Sequence, residues 1–149
     1  MGWAVIHIGA GARAGPSLAA TARRTDRGAR VTGQLLVVAT PIGNLDDLTP
    51  RAAEALRTAD LVLAEDTRRT GRLLAHVGSD APQRSLHEHN ERGRVADVVA
   101  RIAEGARVAL VTDAGTPTVS DPGLAVVRGC VAAGLAVVPL PGASAPLAA

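Results

Sequence analysis

The stretch Val111-Thr-Asp-Ala-Gly-Thr-Pro-Thr-Val-Ser-Asp-Pro-Gly123 gathers residue types that bind a small ligand through backbone groups and short polar side chains. It follows the apolar run 107–111, so a strand feeds a long loop whose Gly, Pro, Asp, Ser and Thr residues make turns or cap a helix. Two loops of the same type accompany it, Ala39-Thr-Pro-Ile-Gly-Asn-Leu45 and Pro139-Leu-Pro-Gly-Ala-Ser-Ala145. Open α/β sheets bind ligands in the crevice outside the carboxyl ends of their strands. Three such loops predict a single site. Acids, imidazoles and cations stand at two further strand ends, in Glu65-Asp-Thr-Arg68 and His87-Glu-His-Asn90. These groups can move a proton or hold a phosphate beside a bound ligand.

The elements that must position these loops alternate regularly from Gln34 onward. Residues 35–39 read as a buried strand. Thr49 caps a helix with Pro50 at its first position, running to about residue 59. Residues 61–64 form a second strand, and a helix over 70–77 is closed by Gly78. Ser85-Leu86 reads as a short strand. Asn90 caps a helix through Glu104, with Val95, Val98, Val99 and Ile102 on one face. Residues 107–112 form a strand. Asp121 caps a helix that has Pro122 at its first position and ends near Gly134. Residues 136–140 form the last strand, and a helix opens at about Ala143. The pattern predicts an α/β domain, a three-layer αβα arrangement around a mainly parallel five-stranded sheet.

Composition bounds the rest. The 149 residues suit one domain, and with 47% hydrophobic residues a packed core is expected. It must be built from Val, Leu, Ile and Ala, since Phe and Tyr are absent and there is one Trp. All 16 basic residues are Arg, but a net charge of +2 is too small to argue for nucleic acid. The lone Cys130 can form neither an internal disulfide nor a thiolate cluster, and reads as a small buried hydrophobe. No apolar run approaches the roughly 20 residues of a membrane span; the expected setting is cytoplasmic. Residues 1–33, rich in Gly, Ala and Arg with the single acid Asp26, read as a disordered or mis-assigned N-terminal extension to a domain spanning 34–149. Gly9-Ala-Gly-Ala-Arg-Ala14 imitates a dinucleotide fingerprint. Gly15-Pro16 interrupts the helix that fingerprint needs, and no strand ending in an acid follows at the required distance. The last helix is cut short, so the chain reads as the front section of a longer protein.

In order and spacing, a set of words resembles the tetrapyrrole methylase superfamily. They are Val38-Ala-Thr-Pro-Ile-Gly-Asn-Leu45, Glu65-Asp-Thr-Arg68, His87-Glu88 with Asn90-Glu91, Ala109-Leu-Val-Thr-Asp-Ala-Gly-Thr-Pro117, Ser120-Asp-Pro-Gly123 and Pro141-Gly-Ala-Ser-Ala145. Glu-Asp-Thr-Arg and His-Glu-x-Asn-Glu point within it to the branch that 2′-O-methylates a cytidine of 16S rRNA in the small ribosomal subunit. The resemblance implies two α/β domains with S-adenosylmethionine (SAM) in the cleft between them, of which this is the N-terminal domain and the second is absent, and a homodimer at full length.

By the same resemblance, SAM contacts fall to Thr40, Pro41, Gly43, Asp113, Ala114, Gly115, Thr116, Pro117, Ser120, Asp121 and Gly142. The catalytic candidates are Asp66, Glu65, His87 and Glu88, which stand at strand ends where one could take or polarise a ribose hydroxyl proton. Arg68, Asn90 and Glu91 are the substrate-side candidates. Plainer roles compete: Asp121 and Asn90 as helix caps, Pro117 as a turn former, Asp66–Arg68 as a structural pair, and His87 as a hydrogen-bonded loop residue. Arg69, Arg72, Arg92 and Arg94 either reach phosphates or form solvated helix faces. His87-Glu-His89 is not a metal site, because adjacent side chains diverge and no third ligand is evident. His76 and His89 read as surface residues. Two other functions stay open: a superfamily methylase acting on a tetrapyrrole or a protein, and a non-catalytic binding module.

Overall fold

Five short strands build one sheet: β1 Gln34–Val38, β2 Leu61–Ala64, β3 Gln83–Ser85, β4 Arg107–Val111 and β5 Ala136–Leu140. The protein is described from a computed structural model, which covers residues 32–117 and 122–144. The strand order is β3-β2-β4-β1-β5, and all four pairings are parallel. Parallel neighbours need crossover connections, and helices supply them. They are α1 Pro50–Arg57, α2 Thr67–Val77, α3 Glu91–Ala103 and α4 Leu124–Ala132.

The two-residue pleat sorts each apolar run onto two faces. Leu36, Val38, Val62, Ala64, Ala109 and Val111 pack with Ala52, Leu56, Leu73 and Leu74 of α1 and α2. Leu35, Val37, Leu61, Leu63, Val108 and Leu110 pack with Val98, Ile102, Val126 and Cys130 of α3 and α4. The expected three-layer α/β architecture follows, with the central strands β1, β2 and β4 buried on both faces. Side chains such as Leu35, Leu56, Leu63 and Leu110 are fully buried, each contributing about 1.5–3 kcal/mol of transfer free energy. Cys130 lies in the second layer as a buried hydrophobe, and burial pushes its thiol pKa up.

Several boundaries differ from expectation. α2 starts at Thr67 instead of near Thr70, because the Asp66 carboxylate accepts the backbone N–H groups of Arg68 and Arg69 and caps the helix there. The third strand comes earlier than Ser85-Leu86. It uses Gln83 and Arg84, polar residues that pair with Val62 and Leu63 at an edge of the sheet, so no apolar run marked it. α4 begins after Gly123 and not at Pro122. Gly33 is buried against the end of α3 and Ala106. The expectations for residues 1–31, for Ser120 and Asp121, and for residues 145–149 lie outside the described residues.

Candidate functional site

The carboxyl ends of β4, β1 and β5 are neighbours in the sheet, so the loops that follow them meet. Thr40 donates its N–H to the Gly115 carbonyl at 2.8 Å, and Gly115 returns its own N–H to the Thr40 carbonyl at 3.0 Å. The Thr40 hydroxyl, buried, reaches the carbonyls of Thr112 at 3.2 Å and Gly115 at 3.4 Å. On the other side, the Thr116 hydroxyl donates to the Ala143 carbonyl at 3.4 Å. Gly142 sits so close to Ala39 that an added Cβ would stand 3.1 Å from the Ala39 Cβ. Of the eleven residues expected to touch a cofactor, the nine within the described residues therefore lie on three loops fastened to one another.

This is also where the chain changes direction. The connection leaving β1 passes through α1 on one face of the sheet, and the one leaving neighbouring β4 passes through α4 on the other. A crevice opens where adjacent strands diverge in this way. Here it is a hollow of about 60 Å³ lined by Thr40, Pro41, Leu45, Arg69, Thr70, Leu73, Thr112 and Asp113. Thr40, Thr70 and Thr112 are the buried polar residues of the described chain, and all three line it. A core otherwise made of aliphatic side chains thus keeps its hydroxyls for this one place.

Asp113 joins the hollow to β2. Its Oδ1 accepts the Asp66 N–H at 3.2 Å, and its Oδ2 lies 3.5 Å from Arg69 Nη1. The guanidinium facing the site is therefore that of Arg69. Arg68, the expected partner of Asp66, lies exposed on the first turn of α2 and meets Asp66 through its backbone N–H. Thr70 and Leu73 are additions to the expected site, and Arg69, largely exposed, stands at the edge of the hollow against Asp113. The signal was the spacing 70, 73, 74, 77, which puts Thr70 on the buried face of α2.

The catalytic and substrate-side candidates fall on two neighbouring strand ends. Glu65 and Asp66 follow β2, next to the Asp113 loop. His87 and Glu88 follow β3, one strand further out and roughly 10 Å from β4 by strand spacing, and both are exposed. Asn90 occupies the first cap position of α3 but makes no side-chain cap bond. Its carboxamide turns back into the loop instead: Oδ1 accepts the His87 N–H at 2.9 Å, and Nδ2 donates to the Ser85 carbonyl at 3.2 Å and lies 3.0 Å from His87 Nε2. Glu91 points the other way. Its Oε1 accepts the N–H groups of Gly123 at 2.9 Å and Ala125 at 2.7 Å. Among the described residues no group of three or more His, Cys, Asp or Glu is placed to hold a metal ion. No described helix is long and apolar enough to cross a membrane.

A parallel α/β sheet whose glycine- and threonine-bearing loops interlock at a carboxyl-edge switch point is a domain of the doubly wound class, in which ligands bind at that edge. Comparison with known proteins narrows this. Residues 34–149 match the family Tetrapyrrole (Corrin/Porphyrin) Methylases, and the chain belongs to it. Among curated proteins it is similar to Ribosomal RNA small subunit methyltransferase I of Synechocystis sp., 54% identical over 117 residues that cover 78% of this chain and 42% of that protein. It is likewise similar to the protein of that name from Escherichia coli O157:H7, 53% identical over 117 residues, 78% of this chain and 41% of that one. The chain thus spans about two fifths of the length of these relatives. Among solved structures, uroporphyrin-III-C-methyltransferase from Thermus thermophilus aligns with a TM-score of 0.59 at 23% identity, over 75% of this chain and 47% of that one. The methyltransferase CobJ aligns at 0.61 and 26%, over 78% and 49%. The Thermus likeness is one of fold alone.

Proposed function

We propose that this chain supplies one wall of the SAM site of an rRNA methyltransferase, and that the methyl acceptor is the ribose 2′-hydroxyl of a cytidine in 16S rRNA of the small ribosomal subunit. One observation carries the reading: the loops after β1, β4 and β5 interlock at the switch point in a chain that is 54% identical to a relative named as a small-subunit rRNA methyltransferase.

The residues present fit such a cofactor. Gly43 has φ +90° with open space where a Cβ would stand, so backbone can meet a ligand there. The Asp113 carboxylate at the mouth of the hollow suits the cationic sulfonium and amino groups of SAM. The three threonine hydroxyls suit its polar atoms. A hollow of about 60 Å³ is a fraction of the roughly 300–1,000 Å³ that encloses a ligand of this size, which is why these loops form a wall and not a closed pocket. When bound, SAM supplies an electrophilic methyl group on a sulfonium. The protein's task is to hold the acceptor oxygen in line with it. The β2 end is the better placed source of a proton acceptor. Glu65 and Asp66 stand beside the Asp113 loop, to which the Asp66 N–H is bonded while its Oδ1 caps α2, whereas His87 stands one strand further out against Asn90. Arg68, exposed beside Asp66, is the cation that would meet an RNA phosphate.

The test is transfer of labelled methyl from SAM to small ribosomal subunits lacking this modification, using the full-length protein. Label recovered on the 2′-oxygen of a cytidine supports the reading. Label on a base, or none from folded protein, overturns it. Label appearing instead on a tetrapyrrole or a protein would reassign the substrate within the family, and failure to bind SAM would leave a non-catalytic binding module.

A further inference from the structure

Among the described residues, the cap position of α4 offers its N-terminus no side chain. Gly123, at the cap position, carries no side chain, and its φ of +128° together with the Leu110 methyl 2.7 Å from where a Cβ would stand restricts the position to glycine. The first N–H groups of a helix need acceptors. Here Glu91, 32 and 34 residues away in the chain, gives one carboxylate oxygen to both Gly123 and Ala125. The carboxylate also lies at the positive end of the α4 dipole, where negative charge is favoured.

Glu91 is itself the first residue of α3, directly after Asn90. Asn90 fastens the loop 85–90 after β3, while Glu91 fastens the exit of the loop after β4. Two adjacent side chains at one helix start therefore clamp two strand-end loops in opposite directions. α3 and α4 lie side by side, with Val95 and Val99 against Gly129, so the clamp rests on packed helices. The same loop after β4 carries Asp113 and Gly115 at its entry, bonded to Asp66 and Thr40.

We infer that Glu91 is a positioning residue for the SAM loop: its carboxylate, acting as the cap of α4, fixes the exit at Gly123 while Thr40 and Asp66 fix the entry. Glu91 then acts on cofactor affinity without touching RNA. The inference rests on the SAM site proposed above.

The experiment uses the full-length protein with Glu91→Gln, Glu91→Asp and Glu91→Ala. It reads three quantities: exchange of the Gly123 and Ala125 amides, the dissociation constant for SAM, and the KM for small subunits. Gln keeps an acceptor oxygen in place, Asp withdraws it by one methylene, and Ala removes it. The expected order of SAM dissociation constants is wild type, Gln, Asp, Ala. Gln stays within about threefold of wild type, and Ala is weakened about tenfold or more, the scale of a lost helix cap. In Ala both amides exchange faster, and the loss of SAM affinity exceeds any change in the KM for subunits. If Ala does not fold, the Gln and Asp steps decide by themselves. Unchanged SAM affinity despite freed amides overturns the inference. So does a loss confined to the KM for subunits, which would place Glu91 on the substrate. Wild-type protein that binds no SAM overturns the reading beneath it, a result distinct from either.

Discussion

Thr40 and Gly115 exchange both of their backbone hydrogen bonds, at 2.8 and 3.0 Å, and do so as an antiparallel bridge above two parallel strands. One of the two loops must therefore run backwards at that point. The loop after β4 bends at Asp113 and Ala114 before it reaches Gly115, which has φ +85°. The floor of the proposed cofactor wall is set by this reversal, in which the backbone groups of the two loops satisfy each other instead of facing water.

Replacing Thr40 by Val keeps the shape and removes the hydroxyl donor to the Thr112 and Gly115 carbonyls. Gly115 keeps the Thr40 N–H, whereas the Thr112 carbonyl loses a buried partner. Urea unfolding should show a loss of about 1 kcal/mol, with SAM affinity reduced several-fold. Unchanged stability and affinity would mean that the hydroxyl holds nothing.

Gly123→Ala meets both an unfavourable φ and the Leu110 methyl at 2.7 Å. The expected destabilisation is about 2 kcal/mol or more. Leu110→Ala alone opens a cavity in a fully buried position and should cost about 2–5 kcal/mol. The double variant should be less destabilised than the sum, because the cavity accepts the new methyl while the φ strain persists. Strict additivity in the cycle would contradict the contact.

Asp113→Asn separates stability from binding. The Arg69–Asp113 pair is 67% and 29% exposed, so its contribution to folding is under about 1 kcal/mol. SAM affinity should fall about tenfold, because the anion facing the cofactor's positive charge is gone. A large fall in stability with intact affinity would make Asp113 a structural tie only.

Asp97 tests the electrostatics away from the site. Hydrogen bonding to Arg101, aided by the charges of Arg101 and Arg84, lowers its pKa below the ordinary 3.8. A depressed carboxylate stabilises the fold above its unfolded pKa and loses that contribution as pH falls through the folded value. Asp97→Asn should thus cost under about 1 kcal/mol at pH 7, since the group is half exposed. The variant and wild type should converge as pH drops below the ordinary carboxylate range. A difference that persists or grows in acid would contradict the pairing.

The strands were legible wherever a run was apolar on both faces, as in Leu35, Leu36, Val37 and Val38. Gln83 and Arg84 escaped because an edge strand can be polar. The loops that meet were legible from their turn residues, and Thr49 read correctly as a cap. The residues that fasten the site were harder to see. The Glu91 carboxylate that meets the first N–H groups of α4 comes from more than 30 positions away, a distance no local reading spans. Asn90 had the right residue type and position for a cap, yet the carbonyl of Ser85 and the ring of His87 offered its carboxamide partners in the loop. Arg69 and Asp113 are paired through the sheet order, which brings β2 beside β4 and which no spacing in the chain encodes.

Hydrogen exchange of the full-length protein with and without SAM tests the central claim most directly, because it reports where the cofactor lies. The account predicts new protection in the segments 38–45, 111–117 and 139–144, with the outer faces of α1 and α3 unchanged. SAM binding that leaves those three segments unprotected, or that protects a surface elsewhere on this domain, would contradict it.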